Sequence, residues 1–234
     1  VILNEKGRLA TILNAPGLAN TEGWWNCLLL DDLNGDGNMD IVAGNHGLNS
    51  RFKAGDNTPM ELYVDDFDQN GQQEAILSQF WGDRAYPIVQ RNDLVKQLPV
   101  LKKRYLKYEN YAGQTIQDVL TEEQRKKALY KKAVTLQSAV FWSLGNGQFE
   151  KQELPLEAQI SPVFAITSTT LHGQKALVLG GNDERCKPET GIYLASRGVL
   201  LILEKNRSWK AVPGRETGLV LSGPVRDLTM IKTK

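Results

Sequence analysis

The sequence predicts an all-β fold made of short antiparallel strands, with one helical segment near its middle. Short apolar runs rich in branched residues, such as residues 27–30 and 41–43, flank two acidic turns and are typical of strands. Short polar turns join other alternating runs at residues 6–7, 145–147 and 205–208. Each of these three turns predicts an antiparallel hairpin.

Residues 92–133 form the helical segment. Leu94, Leu98 and Tyr105 recur at helical spacing. Thr115 with Asp118, and Thr121 with Gln124, have the spacing of helix N-caps with their capping partners. We therefore expect an insertion between strands that ends in a helix over residues 122–133.

This segment is also basic, because residues 102–104, 125–127 and 131–132 are Lys or Arg and several tyrosines lie among them. One interpretation is a patch for an anionic partner. The other is a solvated helical face above packed tyrosines. The whole chain has a formal net charge of only +1 over 234 residues, so nucleic acid is not favoured as a partner. No apolar run is long enough for a transmembrane segment.

Two acidic loops carry the most specific signal. Both fit D-x-[DN]-x-[DN]-G-x-x-[DE], which places oxygen-bearing side chains at positions 1, 3, 5 and 9 and glycine at position 6. Calcium binds roughly six to eight oxygens in flexible geometry, and position 7 would offer its main-chain carbonyl. The loops therefore predict two structural Ca²⁺ sites. The predicted metal ligands are Asp32, Asn34, Asp36, Asn38 and Asp40 in the first acidic loop (residues 32–40) and Asp66, Asp68, Asn70, Gln72 and Glu74 in the second (residues 66–74).

An EF-hand, a magnesium site and a zinc site each fit these loops less well. An EF-hand needs a bidentate Glu at position 12 between two helices, but position 12 is Ala43 or Leu77 here and the flanks are strand-like. Magnesium demands stricter octahedral geometry, and zinc favours Cys or His, which neither loop contains. The remaining alternative is an Asp/Asn/Gly-rich turn that binds no metal.

The first acidic loop and its flanks resemble the FG-GAP/VCBS repeat of integrin-α-type β-propellers and of many secreted bacterial propeller proteins. The matching features are the apolar strand after Trp24 and Trp25, the acidic loop, and a second strand that ends in Gly44 and Asn45. A third, degenerate copy spans residues 163–182. It has Ser168, Thr170, His172 and Ala176 where the first copy has Asp32, Asn34, Asp36 and Asp40, so we expect no calcium there.

The resemblance implies a β-propeller built of four-stranded blades, partial or a fragment of a longer propeller. The expected parts are residues 1–91 (blades with two calcium loops), 92–133 (helical insertion) and 134–234 (blades with the degenerate repeat). Residues 225–231 would open one more blade. Calcium sites of this kind are useful where free calcium is high, outside the cytosol, so we expect a secreted, periplasmic or cell-surface location. Cys27 is expected to be a buried free thiol, with pairing to Cys186 as the alternative.

The predicted function is a calcium-binding module for ligand binding or scaffolding, with a glycan or protein as partner. Trp24, Trp25 and His46 are possible ligand contacts because they lie beside strand ends, although packing explains each of them as well. No nucleophile elbow or P-loop occurs. The alternative function is a calcium-dependent polysaccharide lyase or glycoside hydrolase with its acid and base on distant blades.

Overall fold

The computed structural model describes residues 2–5, 7–11, 15–187 and 191–231 of the chain. Within these residues the fold is mostly β, which confirms the all-β prediction at that level. The strands are β1 (Ile2–Glu5), β2 (Arg8–Thr11), β3 (Cys27–Asp31), β4 (Asp40–Gly44), β5 (Met60–Asp65), β6 (Glu74–Trp81), β7 (Arg84–Pro87), β8 (Leu129–Ala133), β9 (Ala139–Ser143), β10 (Phe149–Glu153), β11 (Val163–Leu171), β12 (Gln174–Gly181), β13 (Val199–Leu203) and β14 (Trp209–Val212).

The helices are short. They are α1 (Arg91–Gln97), α2 (Tyr108–Tyr111), α3 (Ile116–Val119), α4 (Glu122–Lys127) and α5 (Gly214–Thr217), with single 3-10 turns at Pro99–Lys102 and Leu156–Gln159. None of the helices in the described residues has the length and apolar character needed to cross a lipid bilayer.

The strands form three four-stranded antiparallel sheets and the separate β1–β2 hairpin. Sheet I has the order β10-β9-β4-β3, sheet II the order β11-β12-β13-β14, and sheet III the order β7-β6-β5-β8. The three hairpins predicted from short turns are confirmed as β1–β2, β9–β10 and β13–β14.

The chain divides into two compact units. The first consists of residues 1–51 and 136–234 and contains sheets I and II; the second consists of residues 52–135 and contains sheet III with α1 to α4. Strand β4 precedes the second unit in the sequence and β9 follows it, yet the two strands pair directly in sheet I, with Val42 opposite Val140. The second unit is therefore an insertion between two neighbouring strands of one sheet. Whether residues 1–91 and 134–234 are propeller blades stays a prediction.

Each unit has its own hydrophobic core. In the first unit, sheets I and II pack face to face, and Trp142 stacks on Trp209 with ring centroids 6.2 Å apart. In the second unit, one face of sheet III packs against the helices, which bring Leu94, Leu98 and Ile116 onto Tyr63 and Ile76. Burial of these side chains stabilises each unit by removing apolar surface from water.

The predicted helix over residues 122–133 is wrong in its second half. Helix α4 ends at Lys127, and residues 129–133 form strand β8, which pairs with β5 so that Tyr130 lies opposite Tyr63. Four of the five residues in β8 are exposed, so neither local burial nor local spacing marks this strand. The pairing with β5 satisfies its backbone groups and outweighs its helical propensity.

Two other expectations also differ from the structure. The degenerate repeat has no long loop, because β11 and β12 pair as far as Leu171 and Gln174 and turn at His172 and Gly173, both with positive φ. The residues aligned with calcium ligands, such as Ser168, therefore lie within strands. Residues 225–231, predicted to open another blade, form no strand in the described structure.

The two cysteines do not form a disulfide. Cys27 and Cys186 are both free and partly buried. Burial raises the pKa of the Cys27 thiol to about 11, despite an opposing hydrogen bond with the Gly44 backbone. Cys27 is therefore a packed, protonated side chain rather than a reactive thiolate at neutral pH.

Candidate functional site

The second acidic loop joins β5 to β6 and brings three carboxylates together. One carboxylate oxygen from each of Asp66, Asp68 and Glu74 lies within 4.8 Å of the other two. The chain turns at Gly71, whose φ of +87° is easily adopted only by a residue without a Cβ. Three close carboxylates repel one another unless a cation or protons neutralise them. This group can hold a metal ion, and hard oxygen ligands suit Ca²⁺, Mg²⁺ or Mn²⁺.

Main-chain amides hold this loop in shape. Asp66 accepts hydrogen bonds from Asn70 N at 2.9 Å and Gly71 N at 2.8 Å, and Asn70 Oδ1 accepts one from Gln72 N at 2.7 Å. Phe67 N donates to Glu74 Oε2 at 3.0 Å, which fixes the last acidic residue beside the first. The backbone therefore positions the carboxylates before any metal binds.

Asp68 is different from its neighbours. Its Oδ1 atom is buried and has no hydrogen-bond partner in the described part of the chain. A buried polar atom without a partner is costly, and a buried carboxylate oxygen without one is more so. A cation among the three carboxylates would supply the missing partner, so the residues present fit a bound metal.

The first acidic loop has the same four main-chain hydrogen bonds, 34 positions earlier in the chain. Asp32 accepts from Asp36 N at 3.1 Å and Gly37 N at 2.9 Å, Asp36 Oδ1 accepts from Asn38 N at 2.8 Å, and Asp40 Oδ2 accepts from Leu33 N at 3.1 Å. The equivalence shows that both sequences fold the loop in the same way.

The side chains of the first loop are arranged differently. Asn34 Nδ2 donates to Asp36 Oδ2 at 2.9 Å, and the second oxygen of Asp40 accepts from Ser143 N at 2.8 Å. Burial raises the pKa of Asp40, and the charges of Asp36 and Asp32 add to this, while the two backbone hydrogen bonds oppose it. No three carboxylates of this fully described loop come as close as those of the second. Whether it binds calcium stays a prediction.

The three residues predicted as possible ligand contacts lie in two different places. Trp24 lies edge-on to His46, with ring centroids 5.1 Å apart, and His46 lies edge-on to Tyr193 at 4.9 Å. Trp25 instead packs against Phe141 on the far face of sheet I, and its indole nitrogen donates to Thr21 O at 2.8 Å. Tyr193 was missed by sequence reasoning because no motif surrounds it.

The basic insertion is partly neutralised within its own unit. Lys126 pairs with Glu122 at 2.6 Å and Lys127 with Asp65 at 3.3 Å. Tyr105 is buried, and Arg104 lies over its ring at 5.2 Å. These contacts agree with a solvated face above packed tyrosines and give no specific support to a polyanion site.

Comparisons of the chain with protein-family models, with curated proteins and with solved structures find no match.

Proposed function

We propose that the chain is a calcium-binding β-propeller module of the FG-GAP/VCBS type, which binds or presents a glycan or protein ligand at the cell surface or outside the cell. One observation carries the metal part of this proposal. The second acidic loop brings three carboxylates together, and one of them has a buried oxygen, Asp68 Oδ1, that finds no hydrogen-bond partner among the described residues. The loop pattern and its flanking strands favour calcium over other hard cations.

The sheets of the first unit support the propeller part. In sheet I the strands β3, β4, β9 and β10 lie side by side in the order in which they occur in the chain, and in sheet II the strands β11 to β14 do the same. The two sheets stack face to face, as the blades of a propeller do. Val163, the first residue of β11, packs against Gly44 of sheet I so closely that a Cβ added to Gly44 would lie 2.9 Å from Val163 Cγ1. Val225 packs in the same way against Gly180 of sheet II, where an added Cβ would lie 2.8 Å from Val225 Cγ1. Val225 therefore contacts sheet II as Val163 contacts sheet I. Further blades in a longer parent would extend this arrangement.

The proposed location follows from calcium chemistry. Extracellular calcium modules bind with dissociation constants of about 10⁻⁴–10⁻³ M, so they are loaded only where free calcium is high. Such a site stabilises the fold by about 1.4 kcal/mol when calcium is at ten times its dissociation constant. The metal would therefore have a structural role, and the ligand would bind elsewhere on the module.

A calcium titration by calorimetry, paired with melting curves in calcium and in chelator, tests this proposal. Asp68→Asn removes one carboxylate from the second loop, and we expect it to weaken calcium binding there at least tenfold. In chelator the variant should melt at the same temperature as the wild type or higher, because less charge repulsion remains. Asp83→Asn, at the exposed tip of the β6–β7 hairpin, is the control and should leave the titration unchanged. A wild-type protein that shows neither heat nor a melting shift with calcium would disprove the proposal.

A further inference from the structure

A basic segment, residues 94–108, lies on the surface of the second unit and contains no Asp or Glu. Its cations, all of them exposed, are Lys96, Lys102, Lys103, Arg104 and Lys107. The first and last of these cations pair with Asp93 and Glu109, which flank the segment, at 3.7 and 3.3 Å. In the part of the chain that the structure describes, Lys102 and Lys103 form no ion pair. The middle of the basic segment therefore keeps uncompensated positive charge.

The same segment exposes three large apolar side chains. Val100 is 64% exposed, Leu106 is 68% exposed and Tyr108 is 59% exposed. A single exposed apolar side chain is ordinary, but an exposed group of them marks a surface that contacts a partner. Here the three lie within nine positions of one another and alternate with the cations.

The hydrophobic core of the second unit holds the basic segment in place. Leu98 and Tyr105 are buried in that core, and Leu101 packs against it. Leu101 N donates to Leu98 O at 3.0 Å, and Tyr105 N donates to Leu101 O at 2.9 Å. The chain is therefore fixed on both sides of Lys102 and Lys103, which lie on the solvent side of the turn.

Arg91 fixes the end of the segment that carries Leu106 and Tyr108. Its Nε atom donates to Tyr105 O and its Nη2 atom to Leu106 O, both at 2.7 Å, and its guanidinium lies over the Tyr108 ring at 5.7 Å. Lys107 has extended backbone, with φ −117° and ψ 160°, so Leu106 and Tyr108 lie on the same side of the chain. The two apolar side chains are thus presented together by a held backbone.

We propose that the basic segment binds the surface of an anionic lipid bilayer. Lys102 and Lys103 contact the lipid phosphates, because anionic headgroups attract clustered cations. Val100, Leu106 and Tyr108 enter the boundary between headgroups and acyl chains, where apolar side chains leave water and tyrosine is favoured.

A bilayer uses both properties of this surface. A soluble polyanion would pair with the cations but would leave the three exposed apolar side chains in water. Charge complementarity together with the exposed apolar groups therefore favours lipid. This inference goes beyond the proposed calcium module, because it concerns the helical insertion and none of the acidic-loop residues.

The test is cosedimentation with vesicles at one fixed concentration of free calcium. We expect vesicles that contain phosphatidylglycerol to bind the protein at least tenfold more tightly than pure phosphatidylcholine vesicles, and this preference to decrease as salt is raised. Lys102→Gln combined with Lys103→Gln should weaken binding to the anionic vesicles at least tenfold. Leu106→Ser, which keeps the charge, should weaken it at least fivefold.

Matched controls come from the first unit. Lys205→Gln combined with Lys210→Gln removes two exposed cations, and Leu156→Ser replaces a side chain that is 69% exposed. These controls should bind vesicles like the wild type. All the substituted side chains are exposed, so each variant should melt at the wild-type temperature without lipid. If Leu106→Ser melts lower, Val100→Ser takes its place with the same expected loss of binding.

Three results would overturn the inference. The first is equal binding to anionic and neutral vesicles, and the second is an equal loss of binding in the control pair of lysine substitutions. The third is binding of dextran sulfate that depends on Lys102 and Lys103 while Leu106→Ser leaves vesicle binding unchanged, which would define a polyanion site. Calcium heat without vesicle binding would contradict only this inference, and vesicle binding without calcium heat would contradict only the calcium module.

Discussion

At the scale of single residues, the carboxylates of the acidic loops fall into two kinds. Asp40 is fully buried and both of its oxygens accept main-chain hydrogen bonds, from Leu33 in its own loop and from Ser143 at the end of β9. Asp68 has a buried oxygen that accepts no hydrogen bond from any residue that the structure describes. Asp40 therefore stabilises the first loop without any metal, whereas Asp68 is suited to a ligand.

This difference predicts how Asp40→Asn behaves. An amide would keep one acceptor but turn its NH₂ group toward a main-chain N–H, leaving a buried donor unsatisfied. We expect the free energy of unfolding to fall by about 2 kcal/mol, in chelator as well as in calcium. Urea unfolding in both conditions measures this.

The neighbouring Asp36→Asn is the control for Asp40→Asn. Asp36 is exposed, and its loss should matter in calcium but change stability little in chelator. Equal effects of the two substitutions in chelator would contradict a metal-independent role for Asp40.

At the scale of elements, α3 and α4 depend on their caps. They have only four and six residues, too few to be stable through helix propensity alone. In each, a Thr side chain accepts from the amide three residues on, and the side chain at that position accepts from the Thr backbone. The partner is Asp118 in α3 and Gln124 in α4, so one capping box can titrate and the other cannot.

Asp118→Ala should lower the free energy of unfolding by about 1 kcal/mol at pH 7, a typical value for a lost cap. Hydrogen bonds from the Thr115 hydroxyl and backbone lower the pKa of Asp118. Its stabilisation is therefore complete above the ordinary aspartate pKa of about 3.9 and is lost as pH falls through the lower folded-state value. The difference between variant and wild type should shrink below about pH 4.

Gln124→Ala provides the comparison for that pH profile, because Gln124 does not ionise. Its cost should stay constant over the same pH range, as followed by denaturant unfolding at several pH values. A cost of Asp118→Ala that is equally constant would contradict the ionised capping box.

The elements also show which features the sequence could predict. Both capping boxes and the acidic loops were predicted because each depends on residues within a few positions of one another. Strand β8 was not, because its partner β5 lies more than 60 residues earlier and helical spacing dominates locally. Tyr193 was missed for the same reason, since its neighbour His46 is distant in sequence and only the packed sheets bring them together.

At the scale of the whole molecule, the second unit is inserted in the sequence between β4 and β9, two strands that pair directly with each other in sheet I. Gly47 N donates to Leu136 O at 2.7 Å. The two segments of the first unit that flank residues 52–135 in the sequence are therefore close together in space. Arg51 follows Gly47 by four positions in the sequence, a stretch that spans at most about 14 Å. A linker of about six Gly/Ser residues, which reaches up to about 20 Å, can therefore rejoin Arg51 to Leu136.

We expect the first unit to fold when this linker replaces residues 52–135. Its core, from Trp142 on sheet I to Trp209 on sheet II, involves no residue of the second unit. The shortened protein should melt cooperatively and should lose the calcium site of the second acidic loop while keeping any site in the first. If the full chain binds two calcium ions, the shortened protein should bind one, as should the full chain carrying Asp68→Asn. A shortened protein without a cooperative transition would show that sheets I and II need the second unit to fold, despite their separate core.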